Sequence, residues 1–399
     1  MIILSIDTSC DETSVAITEG RRVLSNVIYS QVLIHKKWGG VVPSLAKWAH
    51  EERIDFVIAE ALKKYRGDRT PEVKEERSDG RTSGVNRLID FIAVTQGPGL
   101  AVALEVGINK AKELARKFNK KIIAVNHMEG HIYSSFVQNR NGNPKREFQF
   151  PYLALLISGG HTELVIFKNH IDYEVIGQTI DDAAGEALDK AAKMLGLGYP
   201  GGAVIERLAE EVDNQDFYKF PRPMLKSNDL NFSFSGLKTA FYYFTKRSNQ
   251  SYTTTLSTPG VENKVTNNYH ATVCDSKQTI EPPRLRRSNA TGKPRRLNEL
   301  ASSFQEAVFD TLIYKTEKAI KKTGIKRLVV GGGVIANLYL RKKLRKLVKK
   351  HKGSVLFPPY KYLTGDNAAM IGVAAHFKAE KGIFVKSIDQ LDRIPRLSL

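Results

Sequence analysis

Cysteine is nearly absent. Cys10 and Cys274 are the only two in 399 residues, too few and too far apart for a disulfide framework, which fits a reducing compartment such as the cytoplasm. Long apolar runs are missing too, so no segment is expected to span a membrane. The opening "MIILSIDTSCDETS" has neither a basic leader nor an extended apolar core and is not expected to act as a secretion signal. No GxxxxGK[ST] occurs, which excludes a P-loop. HExxH is missing as well. In "HMEGH" the acid Glu129 stands two residues after His127, about 200° around a helix, which argues against a zincin-type protease.

Negative charge is in short supply: 42 Asp and Glu face 61 Lys and Arg, for a net charge of +19. The excess is concentrated. Residues 315–352 hold fourteen Lys or Arg against Glu317 alone. Such a face is either a solvated lysine-rich surface or the footprint of a polyanion such as RNA.

What remains is ordinary for a folded chain: 42% hydrophobic and 26% charged residues, and length enough for two lobes with their own cores. "MIILSID", polar "TSCDET" and "SVAITEG" read as strand, turn, strand. "HEERIDFVIAEALKKY" has helical spacing, with Ile54, Val57, Ile58, Ala61 and Leu62 on one side. "DFIAVTQGPG" reads as a buried strand, "VGINKAKELARKFN" as a helix and "KIIAVNH" as another strand. "PYLALLISGGHTELVIFKN" repeats the opening strand, turn, strand, and helices and a further strand follow. The alternation implies a layered α/β fold, and the repeat implies duplicated halves with a cleft between them. Two polar stretches look inserted: 66–87, without a period, and 246–298, basic and rich in Ser, Thr, Asn and Pro. The second is expected to be mostly disordered, having little apolar surface to offset its ordering entropy.

Three turns follow apolar strands: "DTSCDETS" (7–14), "SGGHT" (158–162) and "GGGVIAN" (331–337). Turns of this kind let backbone N–H groups approach an anion, and the third leads into a helix N-terminus. None is a GxGxxG opening a helix in a strand–helix–strand unit, so a nucleotide cleft of another type is expected. Asp182, Glu186 and Asp189 share one helix face, which is either solvated or able to accept from ribose hydroxyls. "YPGGAVIE" brings a close backbone and Glu206 to the same region. His127 and His131, four apart, can reach one ion if they lie on a helix, but a third ligand must come from elsewhere. In "TGDNAAM", Asp366 stands at a helix start, where a capping role is ordinary.

"DTSCDETS", "GGVVPSLA", "NHMEGH", "LLISGGHT", "DDAAGEALDKAAKMLGLGYPGG", "FSFSGLKT", "GGGVIAN" and "DNAAM" occur in that order. Outside the two insertions, the chain resembles the TsaD family of tRNA threonylcarbamoyladenosine synthases. The resemblance implies a two-lobed actin/Hsp70/sugar-kinase-like α/β fold with duplicated units and a nucleotide cleft. Residues 1–132 plus 369–399 would form the first lobe and 133–368 the second. It implies transfer of threonylcarbamoyl from threonylcarbamoyl-AMP to N6 of adenosine 37 in tRNAs reading ANN codons, giving t6A and AMP. By matching position, His127, His131 and Asp366 would hold one divalent metal, Fe(2+) with Zn or Mg as alternatives. Leu156, Ile157, Ser158, Gly159, Gly160, Asp189, Gly202 and Asn337 would bind the nucleotide. Glu206 matches a contact of the archaeal branch. Asp11 and Glu12 would face the reacting group. Asp7 departs from the Glu common in the family. Partners implied are the tRNA anticodon loop and TsaB- and TsaE-like helpers, with TsaC supplying the adenylate. Two rival readings are an ATP-dependent kinase with Asp7 or Asp11 as base, which would turn over ATP without tRNA, and a nucleotide-gated scaffold, which predicts no modified tRNA.

Overall fold

The computed structural model describes residues 1–67, 89–253 and 293–399. Its first sheet begins with antiparallel β1 (Ile2–Asp7), β2 (Glu12–Glu19) and β3 (Arg22–Ser30). Parallel β4 (Phe91–Gly97) and β5 (Ile122–Asn126) then complete the order β3-β2-β1-β4-β5. The second sheet is built from β6 (Tyr152–Ile157), β7 (Thr162–Asn169), β8 (Asp172–Gln178), β9 (Arg327–Gly331) and β10 (Ser354–Leu356). Its order, β10-β9-β6-β7-β8, repeats the first strand for strand. The duplication expected from the two strand-turn-strand openings is therefore present. Each opening, however, runs on into a third strand. β3 and β8 are sheet edges with mixed burial, so neither carries the dense apolar run of the central "IILSID" and "YLALLI".

Helices fill three layers around the sheets. α1 (Val32–Lys36) is short; α2 (Pro43–Gly67) and α3 (Ala101–Phe118) cover the outer face of the first sheet. Ile54, Val57 and Ala61 of α2 and Ile108 and Leu114 of α3 meet Leu4, Ile6 and Val94 there. α4 (His127–Tyr133) and α10 (Ala368–Glu380) lie between the sheets, with Met128, Ile132, Met370 and Ile371 packed against Ile3 and Ala93 on one side and Ala154 and Val329 on the other. The run Ala368–Ala375 is buried throughout, as a helix must be when both of its sides face a sheet. α5 (Ala184–Met194), α6 (Gly201–Glu210), α7 (Ser235–Thr253), α8 (Lys293–Thr323) and α9 (Leu338–Lys350) cover the outer face of the second sheet.

Most of the two polar stretches, 68–88 and 254–292, lies outside the described residues. At the edges of 246–298, α7 runs to Thr253 and α8 starts at Lys293, and the expectation of disorder for the rest of the stretch lies outside the described residues. Leu297, near the start of α8, packs against the second core, and that contact supports the helix earlier than composition suggested.

Candidate metal centre and cleft

β5 ends at Asn126, whose side chain accepts from Met128 N at 2.8 Å while Glu129 accepts from Asn126 N at 3.3 Å. This capping box starts α4 immediately after the strand, and the helix puts His127 and His131 on one face. Glu129 is committed twice, since Lys378 of α10 pairs with it at 2.8 Å. It therefore cannot serve as the free carboxylate that a protease would need.

Asp366 comes from just before α10. It is not the cap of that helix: Asn367 takes the role, accepting from Met370 N at 3.0 Å. Asp366 is thereby left to point at the histidines. Its Oδ1 lies 3.2 Å from His127 Nε2 and 3.3 Å from His131 Nε2. The three ligand atoms lie within 4.8 Å of one another. Two donors each about 2.1 Å from one ion, at tetrahedral or octahedral angles, stand about 3.0–3.4 Å apart, so the spacing fits a shared cation. Burial gives a second sign. His131 Nε2, the atom turned to Asp366, is enclosed without a hydrogen bond of good geometry, a costly state for a polar atom with nothing to bind. The donor set of two imidazoles and a carboxylate suits iron or zinc.

Asp7, at the end of β1, accepts from Thr95 Oγ1 at 2.9 Å and Ser9 N at 3.2 Å through Oδ1. Its Oδ2 faces His127 Nδ1 at 3.6 Å. A carboxylate behind the far nitrogen orients the ring and leaves Nε2 for a metal. Asp7 is buried, with Oδ1 on Thr95 and Ser9 and Oδ2 toward His127, so it is not the free carboxylate that a kinase base would have to be. Burial opposes a charge on His127, but the carboxylates of Asp366 and Asp7 outweigh it and raise its pKa well above the ordinary value. Burial, with His127 adding to it and Asp366 opposing, lowers His131. Asp366 is driven far below the usual carboxylate range by the two imidazoles, against the opposing effect of its burial.

The second half reaches this centre through its turns. A Cβ at Gly331 would collide with the backbone carbonyl of His131, and Gly332, at φ 94°, lies against the carbonyl of Ile157. Neither position tolerates a side chain, so the ends of β6 and β9 close onto α4. His161, in the "SGGHT" turn, is a neighbour the sequence reading did not single out. Burial first, then the field of His127 and His131, pushes its imidazole down to about 4. Its place beside two glycines in a strand-end turn was the available signal.

Leu156 and Ile157 are buried at the end of β6, and Gly159 and Gly160 open onto free space. Ser158 closes the turn, with its N–H donating to His161 O and its Oγ accepting from His161 N. The other polar nucleotide candidates, Asp189, Glu206 and Asn337, hold helix N-termini. Asp189 Oδ1 accepts from Gly201 N at 2.7 Å and Gly202 N at 3.1 Å at the start of α6. Glu206 accepts from Leu338 N at 2.8 Å, and Asn337 Oδ1 from Leu340 N at 2.9 Å, at the start of α9. The three acids do not form one helix face, because Asp182 precedes α5; it and Glu186 are both paired with Lys190.

Asp11 ends the opening loop and Glu12 begins β2. Burial, reinforced by Asp11 and Asp366, pushes the Glu12 carboxyl well above its ordinary value. Asp11 Oδ2 lies 3.4 Å from the hydroxyl of Tyr199, in the turn before α6. That contact joins the loop of the first half to the second.

A family model described as TsaD, tRNA N6-adenosine threonylcarbamoyltransferase, matches residues 22–72 and 81–373. The chain is 40% identical over 399 residues to the tRNA N6-adenosine threonylcarbamoyltransferase of Thermosipho africanus, with 100% of both covered. It is 42% identical over 387 residues to that of Endomicrobium trichonymphae, covering 96% of this chain and 93% of the other. The relative from Staphylococcus aureus strain Newman is 40% identical over 385 residues, with the same coverage. Among solved structures, T. kodakarensis HypF matches with a TM-score of 0.55 at 13% identity, over 95% of this chain and 48% of that one. That likeness is one of fold.

Proposed function

The chain belongs to the tRNA N6-adenosine threonylcarbamoyltransferase family, and we propose that its donor, threonylcarbamoyl-AMP, lies along the second sheet with its carbamoyl carbon toward His127, His131 and Asp366. The reaction is that of the family: a threonylcarbamoyl group passes to N6 of an adenosine in tRNA, giving t6A. The fold is the two-lobed actin/Hsp70/sugar-kinase type. The adenosine we assign is position 37, in the anticodon loop of tRNAs that read ANN codons.

One observation supports this placement above others. The open glycines 159 and 160 belong to the same turn as His161, whose imidazole lies in the field of the histidine pair. A nucleotide held by Leu156–Gly160, Asp189, Gly202, Glu206 and Asn337 would then present its acyl end to the metal centre. Bound by His127, His131 and Asp366, a divalent cation supplies Lewis-acid polarisation of the carbamoyl group and neutralises phosphate charge. Fe(2+) is the expected ion.

The remaining work belongs to side chains. N6 attacks the carbamoyl carbon, the bond to the phosphate oxygen breaks, and AMP departs with the electron pair. The N6 proton passes to the Asp11–Glu12 pair. Asp189 retains Oδ2 for the ribose, a charge-assisted acceptor beside the Gly202 backbone. No covalent enzyme intermediate is needed, since AMP is already a good leaving group. Cys10 is unsuited to form one, because burial and then Asp11 push its thiol up.

TsaB- and TsaE-like proteins are the expected helpers, a TsaC-type enzyme the source of the adenylate, and the cytoplasm the compartment. The test is to incubate the full chain and these helpers with tRNA and threonylcarbamoyl-AMP, then digest the tRNA and weigh its nucleosides. Appearance of t6A supports the reading; its absence with helpers and metal supplied overturns it.

A further inference from the structure

The fourteen cations of residues 315–352 are not one surface. Lys315 is fully buried on Ser227 and Asp229, and Lys318 donates to the Ser227 carbonyl. Lys321 and Lys350 pair with Glu317, and Lys343 pairs with Glu306 and Asp310. Arg341 donates to Ile335 O, and its guanidinium and that of Arg345 lie over the Phe357 ring at 5.3 and 5.0 Å. Arg327 donates to the carbonyls of Phe150 and Pro151. These contacts serve the fold; Arg345 nonetheless stays exposed and has no carboxylate partner among the described residues. Lys322, Lys326 and Lys352 are exposed but lie off α9, whereas Lys342, Lys346 and Lys349 are exposed on α9 itself and without an ion pair among the described residues.

At 3.6 residues per turn these three lie within about 60° of arc and span about 10 Å along the helix. The opposite face of α9 is buried through Leu340, Leu344, Leu347 and Val348, so packing forces the lysines outward as a stripe. Arg345, also exposed, flanks them. The helix is capped by Asn337, one of the residues assigned to the nucleotide, so the stripe runs from the cleft rim away over the surface. Cations at this spacing repel one another unless an anion lies across them.

We propose that Lys342, Lys346 and Lys349, flanked by Arg345, form a phosphate-binding stripe for the tRNA arm whose loop enters the cleft. This rests on the tRNA-modifying reading above. A helix carrying cations on one stripe suits a polyanionic backbone, and it adds affinity without base specificity.

The test uses the full chain with Lys342→Glu, Lys346→Glu and Lys349→Glu combined. Affinity for unmodified tRNA is measured by fluorescence anisotropy across about 50–200 mM salt, and AMP affinity by calorimetry. The expected result is weaker tRNA binding, with the slope of log K against log salt reduced by about 0.7–0.9 for each phosphate no longer neutralised, and AMP binding unchanged. The same reversals at Lys112, Lys117 and Lys120, on and beside α3, measure the effect of net charge alone. Wild-type affinity and slope in the α9 variant overturn the proposal, as does an equal loss in the α3 variant. Failure of the parent protein to make t6A would sink the functional reading instead, and the anisotropy result would still decide the stripe.

Discussion

His50 Nε2 lies 3.0 Å from the carbonyl oxygen of Cys10, and its Nδ1 lies 2.7 Å from Thr13 Oγ1. A carbonyl can only accept, so Nε2 carries the hydrogen. Burial lowers the pKa of the ring and keeps it neutral, so Nδ1 accepts from the Thr13 hydroxyl. α2 thus holds both ends of the segment that carries Asp11 and Glu12.

From this we expect His50→Ala to lower kcat by up to about 100-fold, the cost of a 1 Å misplacement of reacting groups, with little change in KM for tRNA. His50→Gln, which keeps a donor for Cys10, should recover part of the rate. Steady-state kinetics and melting curves together decide it. A lower Tm with kcat intact would mean that His50 serves only stability.

His131→Ala should remove metal retention and t6A formation together while the fold survives. Loss of one ligand in three must exceed the about 10–100-fold cost typical of changes in the groups behind a ligand. Asp7→Asn should fall within that smaller range. Elemental analysis and nucleoside mass spectrometry check both; full product from metal-free His131→Ala would refute the assignment.

For Asp189, two roles must be separated. Asp189→Asn keeps an oxygen for Gly201 N and Gly202 N but removes the charge, so the melting temperature should hold while AMP binding weakens by about 1.5–3 kcal/mol. Asp189→Ala should lose both, with about 0.5–2 kcal/mol of stability gone with the cap. Calorimetry that finds equal AMP affinity in Asp189→Asn would confine the residue to capping.

Glu317 links α8 to the end of α9. The Lys350 ammonium holds its carboxyl down at about 2, with His351 and Lys321 adding and burial opposing. A depressed acid stabilises the fold above its unfolded pKa, about 4.3, and the benefit is lost as pH falls toward 2. Thermal unfolding should therefore show Glu317→Gln less stable than the parent at pH 6, with the gap closing between pH 4 and 2. A gap that stays constant with pH would show that the charge contributes nothing.

Local patterns carried much of this protein. Apolar runs such as "IILSID" and "YLALLI" marked the central strands, because burial on both faces demands unbroken hydrophobic residues. The repeated strand-turn-strand announced the duplication, and the spacing of His127 and His131 announced a shared face. These are short-range properties, set by the geometry of one strand or one helix. The edge strands β3 and β8 escaped notice because their mixed burial leaves no comparable pattern.

The partners of each charge could not be read along the chain. Asn367 rather than Asp366 caps α10, Glu129 closes a capping box and meets Lys378, and Asp7 turns onto His127. Asp189, Glu206 and Asn337 each hold a helix start, and the lysines divide between ion pairs and an open stripe. Each outcome depends on ångström-scale distances between segments remote in sequence, which arise only when two sheets and three helical layers pack together. Residue types set what each group can donate, accept or ligate, and packing alone selects the one it meets.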